Sequence, residues 1–572
     1  MNQTRTFLFI AWLAVAFLLF QQWQSPAPAQ APQAAAPAAP IAPGVTGDAG
    51  SSLPSLPAAA TGALPALPGA ATAISPAQTV EIVTDTYRLT VDLKGVTLLR
   101  SELLTYPKEK KAGSPNVLLL NDDPAAYFVA QSGWLTKTGQ APTHDAVFRT
   151  ADGKSRYVLA AGQDELSVPF VWQDGNGLTL TKTLVLRRGE FAIRQRQEIR
   201  NAGSAPWSGY AYEQLKRLAP PPPPKHAGLT NPDSFSFVGS AWYSAADKFE
   251  KVKFADYLDD GVLQSPNKAV ADGWFGMLQH HFVSVWVPAK GDTQTFSTAT
   301  EGNPANPYYL IRGVSGESTV APGAALSRED VLWAGPKAQK TMAAVHPTLD
   351  LSVDYGILSF LAQPLFWLLS VLHGLLGNWG WAIIAIVIVL KLLLFPLSAK
   401  QYQSMARMRA IQPRIEALKE RYGDDRQKFA MAQMDLYKKE KINPAAGCLP
   451  MLIPIPIFLA LYWVLVESVE LRQAPWIGWV QNLTDADPYF ILPVLNLVIM
   501  FLTQKLTPTP GMDPLQKKMM TFMPLIFGVM MAFFPAGLVL YWVTNGLLGL
   551  AQQWWMTKKY GSHTHHHAAP AK

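Results

Sequence analysis

Residues 381–397 read WAIIAIVIVLKLLLFPL, an apolar run with a single cation, Lys391, embedded near its middle. At the rise of an α-helix this length crosses roughly 25 Å of hydrocarbon, so the stretch reads as a membrane span. A cation near a bilayer centre costs about 2.5–3.5 kcal/mol and is normally kept only where it faces water, a partner charge or a substrate path. The competing explanation is a lysine that snorkels to the nearer interface and anchors the helix. Lys400 already fills that role at the end of the run, and Lys391 sits about two and a half turns deeper. Lys391 is therefore taken as functional.

The rest of the chain cannot be one soluble domain. It has 572 residues, 49% hydrophobic and only 16% charged, with most of the apolar excess after residue 355. The single cysteine, Cys448, excludes an intramolecular disulfide. The net charge of +7 is concentrated between apolar runs, so it sets topology before it serves any nucleic acid.

Residues 1–23 carry Arg5 and then an uninterrupted apolar stretch from Phe7 to Phe20. This is a transmembrane signal anchor or, with Ala27-Pro28-Ala29 as a small-x-small site, a cleaved signal; the sequence leaves both open. Residues 24–78 are dominated by Ala and Pro and are expected to form a disordered tether. From 79 to 345 the apolar period becomes two: Tyr87, Leu89, Val91 and Leu93 alternate with polar residues, as do Phe191, Ile193, Gln195, Gln197 and Ile199. Turn signals such as Asp174-Gly175-Asn176-Gly177 recur, which predicts a large all-β exported domain of two packed sheets. Prolines 220–224 belong in a loop. His280 and His281 have no acidic or cysteine partner at ligand spacing and are expected on a strand, one ring facing each way.

Residues 355–377 would pass a hydropathy window as a span. If they crossed, however, the basic stretch 400–441 would lie outside, against the positive-inside rule, so they are expected to form an interfacial amphipathic helix. The stretch 400–441 reads as a cytoplasmic helical hairpin, turning at Gly423 with Asp424 and Asp425 before the second helix, and carrying Arg407, Arg409, Arg414, Lys419 and Arg421. The core, 378–560, then supplies spans at about 381–397, 449–466, 489–502, 519–534 and 538–555, the last two joined by Pro535-Ala536-Gly537. With the first segment this makes six spans. The loop 468–488 holds one basic residue, Arg472, whereas Lys505, Lys517, Lys518, Lys558 and Lys559 fall on the other side. The tail 561–572, with His563 and His565 to His567, reads as flexible or tag-derived in preference to a metal site.

No Walker loop, HExxH, GxSxG elbow or dinucleotide fingerprint lies in a supporting context, so no cofactor, metal, catalytic residue or small-molecule substrate is expected. Carboxylates are nearly missing from the spans, which leaves Lys391 to face a hydrated cavity where an acidic or polar segment of another polypeptide could meet it.

Several stretches carry a resemblance: LDLSVDYG (349–356), QYQSMARM (401–408), Asn443-Pro444 with Gly447-Cys448, PIFLALYW (456–463), SVELRQAPW (468–476), DPYFILP (487–493), MTFMP (520–524) and FPAGLVLYW (534–542). Through them the chain, from Leu332 to Trp555, resembles the YidC-type membrane protein insertases of bacterial inner membranes, which have mitochondrial and chloroplast relatives. The resemblance implies an α-helical polytopic membrane protein with a five-span insertase core, plus a periplasmic β-supersandwich similar to carbohydrate-processing enzymes. It implies that Lys391 is the positive centre of a hydrophilic groove open to cytoplasm and lipid, with both termini cytoplasmic. Many members hold arginine there, aligned through Phe395-Pro396; lysine, unlike arginine, can lose its proton when dehydrated, so the groove must stay wet. Pro454 stands where relatives commonly carry glutamine. Tyr541 and Trp542 become candidate groove or substrate contacts, an interfacial aromatic belt being the alternative. Implied partners are nascent inner-membrane proteins, the Sec translocon, the ribosome, the signal recognition particle receptor and membrane lipids. A solvated charged helix pair would look the same as a ribosome-binding hairpin. Two rivals remain: a membrane-anchored carbohydrate-binding or carbohydrate-modifying protein acting through the β domain, and a small-solute transporter, for which no inverted repeat or intramembrane ion ligand is seen.

Overall fold

The computed structural model describes residues 78–137, 139–221, 236–257, 269–399, 411–422, 425–440, 454–506 and 514–561. The N-terminal segment, nearly all of the tether, prolines 222–224, Lys400, Arg407, Arg409, Asp424, Cys448 and the histidine tail lie outside these residues.

Alternation decides the first domain. In the strand Ala192–Asn201, Ile193, Gln195, Gln197 and Ile199 are buried while Arg196, Glu198 and Arg200 between them are exposed. Strands built this way form an 11-stranded and a 9-stranded sheet, almost entirely antiparallel, which meet face to face. The two sheets are joined through their interior, not only by apolar packing: Ser132 Oγ donates to Gln195 Oε1 and Trp134 Nε1 to Gln197 Oε1, both at 2.9 Å. Lys182, fully buried, donates to the carbonyls of Gly95 and Ser132 and to Ser132 Oγ. The turn at Asp174 closes because its carboxylate accepts from the N–H groups of Asn176 and Leu178, while Gly175 and Gly177 take positive φ of 80° and 101°.

His280 and His281 depart from expectation. They are not on a strand but form the turn between Trp274–Leu278 and Phe282–Val287, where the two rings stack at 3.7 Å. A two-residue turn sends both side chains off the sheet's end, and here both Nε2 atoms lie 2.9 Å from the carbonyl oxygen of Val466. That carbonyl belongs to the last turn of the helix Pro454–Glu467, where such groups have no intrahelical partner.

The second part is helical. The surface helix Ser359–Leu376 ends at Gly377, which adopts φ 67°, and Asn378 then caps the Lys391 helix, Trp379–Leu393, by accepting from Gly380 and Trp381. The expected span 381–397 is not one helix: it breaks at Leu394 and resumes over 395–399. Pro396 explains the break, because it has no N–H to donate and its ring crowds the carbonyl four residues back. Further helices are Pro454–Glu467, Ile491–Leu506, Pro514–Met531 and Ala536–Gly561. The link before the final helix is the turn 532–535, so Ala536 and Gly537 belong to the helix and not to the connection. Among the described residues one helix, Gly356–Leu376, is by itself long and apolar enough to cross a membrane; the Lys391 helix and three others are shorter apolar helices.

Glycines set the approach of the final helix. A Cβ at Gly546 would stand 2.6 Å from Ile499 Cγ2 on the helix Ile491–Leu506, so the isoleucine side chain fills the room that the glycine leaves. The first N–H groups of the final helix are satisfied from the loop 468–488: Ala536 donates to Asp485 O at 2.7 Å and Gly537 to Leu483 O at 2.8 Å. Asp487 in the same loop is buried; it accepts from Tyr489, Leu492 and Trp479 Nε1 and so fixes the entry to Ile491–Leu506.

Candidate functional site: a lysine facing the final helix

Lys391 lies thirteen residues beyond the Asn378 cap, about 20 Å along its helix. It is half-buried, and among the described residues no carboxylate comes within ion-pair distance. What it faces is the final helix: a Cβ built on Gly549 would stand 3.7 Å from Lys391 Nζ, an ordinary contact distance. Gly549 is thirteen residues from Ala536, about 20 Å along the helix, so the two positions match in depth. Sequence reasoning passed over Gly549. The signal was present in the pair Gly546 and Gly549, three apart on one helix, but nothing in the sequence said which neighbour each would face.

The paired aromatics separate. Tyr541 is only 4% exposed and stacks on Phe458 with ring centroids 6.0 Å apart, which makes it part of the packing against Pro454–Glu467. Trp542 is half-buried, edge-on to Phe458 at 4.8 Å, and its indole Nε1 is buried without a hydrogen-bond partner. At 100° per residue Trp542 falls within about 20° of Gly549 on the helix, whereas Tyr541 is turned about 80° away. Trp542 therefore shares the lysine's face and Tyr541 does not.

The charged hairpin forms a separate small unit. Asp425 caps the helix Arg426–Lys439 by accepting from Gln427 and Lys428, and Ile411 and Ile415 pack with Phe429, Leu436 and Tyr437. Arg414 pairs with Glu440 at 2.6 Å, tying the helix Gln412–Tyr422 to the end of its neighbour. Lys419 and Arg421 are exposed, and this apolar cluster is distinct from the one that runs through the β domain and the other helices.

The β domain is docked at the opposite end from Lys391. Arg472 donates to the carbonyls of Pro107 and Lys108 at 2.8 and 2.9 Å and lies 5.6 Å over the ring of Phe282. Lys110 donates to the carbonyl of Gln473 at 2.7 Å, and Ser236 to the carboxylate of Glu467, also at 2.7 Å. A cavity of about 830 Å³ lies in this junction, between Lys110, His281, Arg472 and Trp479. Burial, with His280 beside it, holds the His281 imidazole well below its ordinary value, so it stays neutral in the junction.

Two family models match the chain end to end of its described part. Residues 79–368 match the YidC periplasmic domain and residues 371–563 the 60Kd inner membrane protein family. A protein of Stenotrophomonas maltophilia strain K279a, named membrane protein insertase YidC, is 52% identical over 98% of this chain and 97% of its own length. One of the same name from Xanthomonas campestris pv. campestris strain 8004 is 50% identical over 98% of both chains. A solved structure of an active YidC insertase with its first transmembrane domain resolved aligns over 84% of this chain and 94% of its own at 19% identity. Its TM-score of 0.36 is too low to carry an argument. With both parts matched and half of all residues shared across nearly the whole length, the chain belongs to the YidC family of bacterial inner-membrane protein insertases, with a periplasmic β-sandwich domain and a helical C-terminal region.

Proposed function

We propose that this insertase works through a positively charged, hydrated groove between the Lys391 helix and the final helix. In this arrangement Lys391 attracts the short polar tail of a nascent membrane protein and lowers the cost of drawing it partway across, while the substrate's apolar segment passes into lipid. One observation supports this most: an ammonium lodged against Gly549, among apolar helices, with no carboxylate beside it among the described residues. Such a charge is expensive unless water or a substrate completes its environment. No covalent bond is made or broken; the work is to replace a hydration shell by protein groups.

The topology that suits this reading has six spans with both termini cytoplasmic, the helix Ser359–Leu376 along the outer surface and the hairpin in the cytoplasm. The hairpin, with Arg407, Arg409, Arg414, Lys419 and Arg421, would receive substrates from the ribosome or the signal recognition particle receptor, and the chain would act alone or beside the Sec translocon. Trp542 serves as a substrate contact; Tyr541, packed on Phe458, supports the groove wall.

The test is insertion of a short-tailed, single-span substrate into proteoliposomes holding the full chain with Lys391, Lys391→Ala or Lys391→Arg. Alanine should slow insertion at least tenfold and arginine should retain most of it. Equal insertion by all three would make Lys391 a snorkelling anchor and end this reading.

A further inference from the structure

The cavity of about 830 Å³ between the β domain and the helical part is large enough to hold a small organic ligand. Four cations line it, Lys108, Lys110, Lys111 and Arg472, against two carboxylates, Glu109 and Asp485. The lysines come from the connection between the strands Thr97–Pro107 and Asn116–Leu120, and Arg472 from the loop 468–488, so an anion held among them would touch both parts of the chain. Lys110 donates to uncharged carbonyls, those of Gln473 and Gln481, and partial burial holds its ammonium below the ordinary value with no carboxylate to offset it. Lys108 and Lys111 are exposed and make no ion pair among the described residues. Asp485 is engaged by Asn482, whose Nδ2 donates to it at 2.7 Å. At Pro488, in the cavity wall, the surface changes character. Tyr489 and Phe490 follow it, both exposed, and Ile491, Val494, Val498 and Leu502 continue as an exposed apolar stripe, within about 80° of one another, along the helix Ile491–Leu506. A ligand that suits both surfaces has an anionic head and an apolar tail.

We propose that this junction cavity binds the head group of an anionic phospholipid of the outer leaflet, whose acyl chains lie on the exposed stripe of the helix Ile491–Leu506. Because the β domain is periplasmic, its junction with the helical part lies on the side of the membrane where that leaflet presents its head groups. A phosphodiester offers acceptor oxygens to several ammonium groups at once, and a net negative head answers an excess of cations that a zwitterionic head does not. The lipid acts as a clamp: its head bridges the lysines of the β domain and Arg472 of the core, and its chains hold the pair to the bilayer. The proposal does not depend on the groove at Lys391, and insertion plays no part in its test.

The experiment uses the full chain in nanodiscs of phosphatidylcholine, with and without phosphatidylglycerol. Hydrogen exchange is followed in the loop 468–488, and the lipid that stays bound on transfer to detergent is counted by native mass spectrometry. The chain should retain phosphatidylglycerol over phosphatidylcholine by about tenfold or more, and phosphatidylglycerol should slow exchange in the loop severalfold. The double variant Lys108→Ser with Lys111→Ser, which removes two exposed ammonium groups and no bond among the described residues, should lose both effects. Lys505→Ser, at the other end of the helix Ile491–Leu506, should keep both. Equal retention of the two lipids overturns the proposal, as does a preference that survives in the double variant or is lost equally in Lys505→Ser. Slowing of the loop by soluble glycerol phosphate in phosphatidylcholine nanodiscs, to the extent that phosphatidylglycerol achieves, would make the cavity a site for a free phosphate ester and also overturn the lipid assignment.

Discussion

Enlarging Gly549 should act on insertion through Lys391 and through nothing else. An ideal Cβ at 549 stands 3.7 Å from Lys391 Nζ, an ordinary contact, so alanine touches the ammonium without overlapping it. Each further carbon adds a bond of about 1.5 Å, so the branches of valine or leucine directed at the ammonium would come to roughly 2–3 Å from it, inside contact distance. The ammonium, at the end of a flexible stem, yields before the helices do, because overpacking rigid elements costs about 1–3 kcal/mol. Displaced from the tail's path, it loses a charge-assisted hydrogen bond worth about 1.5–3 kcal/mol, or roughly ten- to a hundredfold in rate. Insertion should fall progressively from Gly549→Ala to Gly549→Val to Gly549→Leu. The decisive measurement is a double-mutant cycle: in a Lys391→Ala chain, Gly549→Leu should cost almost nothing further. Losses that simply add would show that leucine acts by disturbing helix packing, and would refute the assignment of Gly549 as the lysine's seat.

Two more outcomes follow from groups outside the spans. Burial pushes the Lys182 ammonium in the β domain down to about 7, so above that pH the folded chain sheds a proton that the unfolded chain keeps until roughly 10.4. Stability should therefore rise by about 2 kcal/mol from pH 7 to 9, some 5 °C in the unfolding temperature of the β domain, and Lys182→Met should flatten that slope in thermal melts; an unchanged slope would place the titration elsewhere. Arg472→Ala removes two bonds to the carbonyls of Pro107 and Lys108, and hydrogen exchange in the loop 468–488 should then quicken about tenfold; unchanged exchange would mean the docking does not depend on Arg472.

How much of this was legible depends on the range of the interaction. The alternation Ile193-Gln195-Gln197-Ile199 predicted the buried face residue by residue, because a strand's period is a local property. Asp425 as a cap was equally local. The break at Leu394 could have been read from Pro396 but was hidden by the apolar run around it. Three features depended on pairing between distant segments and left no local trace: His280 and His281 converging on Val466, Gly549 facing Lys391, and the separation of Tyr541 from Trp542. The last needed only the helical period, applied from a known contact; without Gly549 there was no origin from which to count the angle.

The polar groups of the helical part are distributed unequally along its length, an inequality that suits the groove proposed above. At the β-domain end, the starts of the Lys391 helix and the final helix and the end of Pro454–Glu467 all have their exposed backbone groups satisfied: by Asn378, by the carbonyls of Leu483 and Asp485, and by His280 and His281. Asn378 is itself tied through its amide to the carbonyls of Pro475 and Trp476. Opening that end would break many bonds at once, each worth about 1 kcal/mol net. Some 20–24 Å further in lie the Lys391 ammonium, with no carboxylate at ion-pair distance among the described residues, and Gln552 Nε2, which is buried without a hydrogen-bond partner. The contrast lies in the backbone: at the β-domain end the helix-terminal groups named above are paired, although the Trp476 indole N–H there is buried without a partner. If the proposed groove operates, its closed end is the one whose helix termini the fold has already paired.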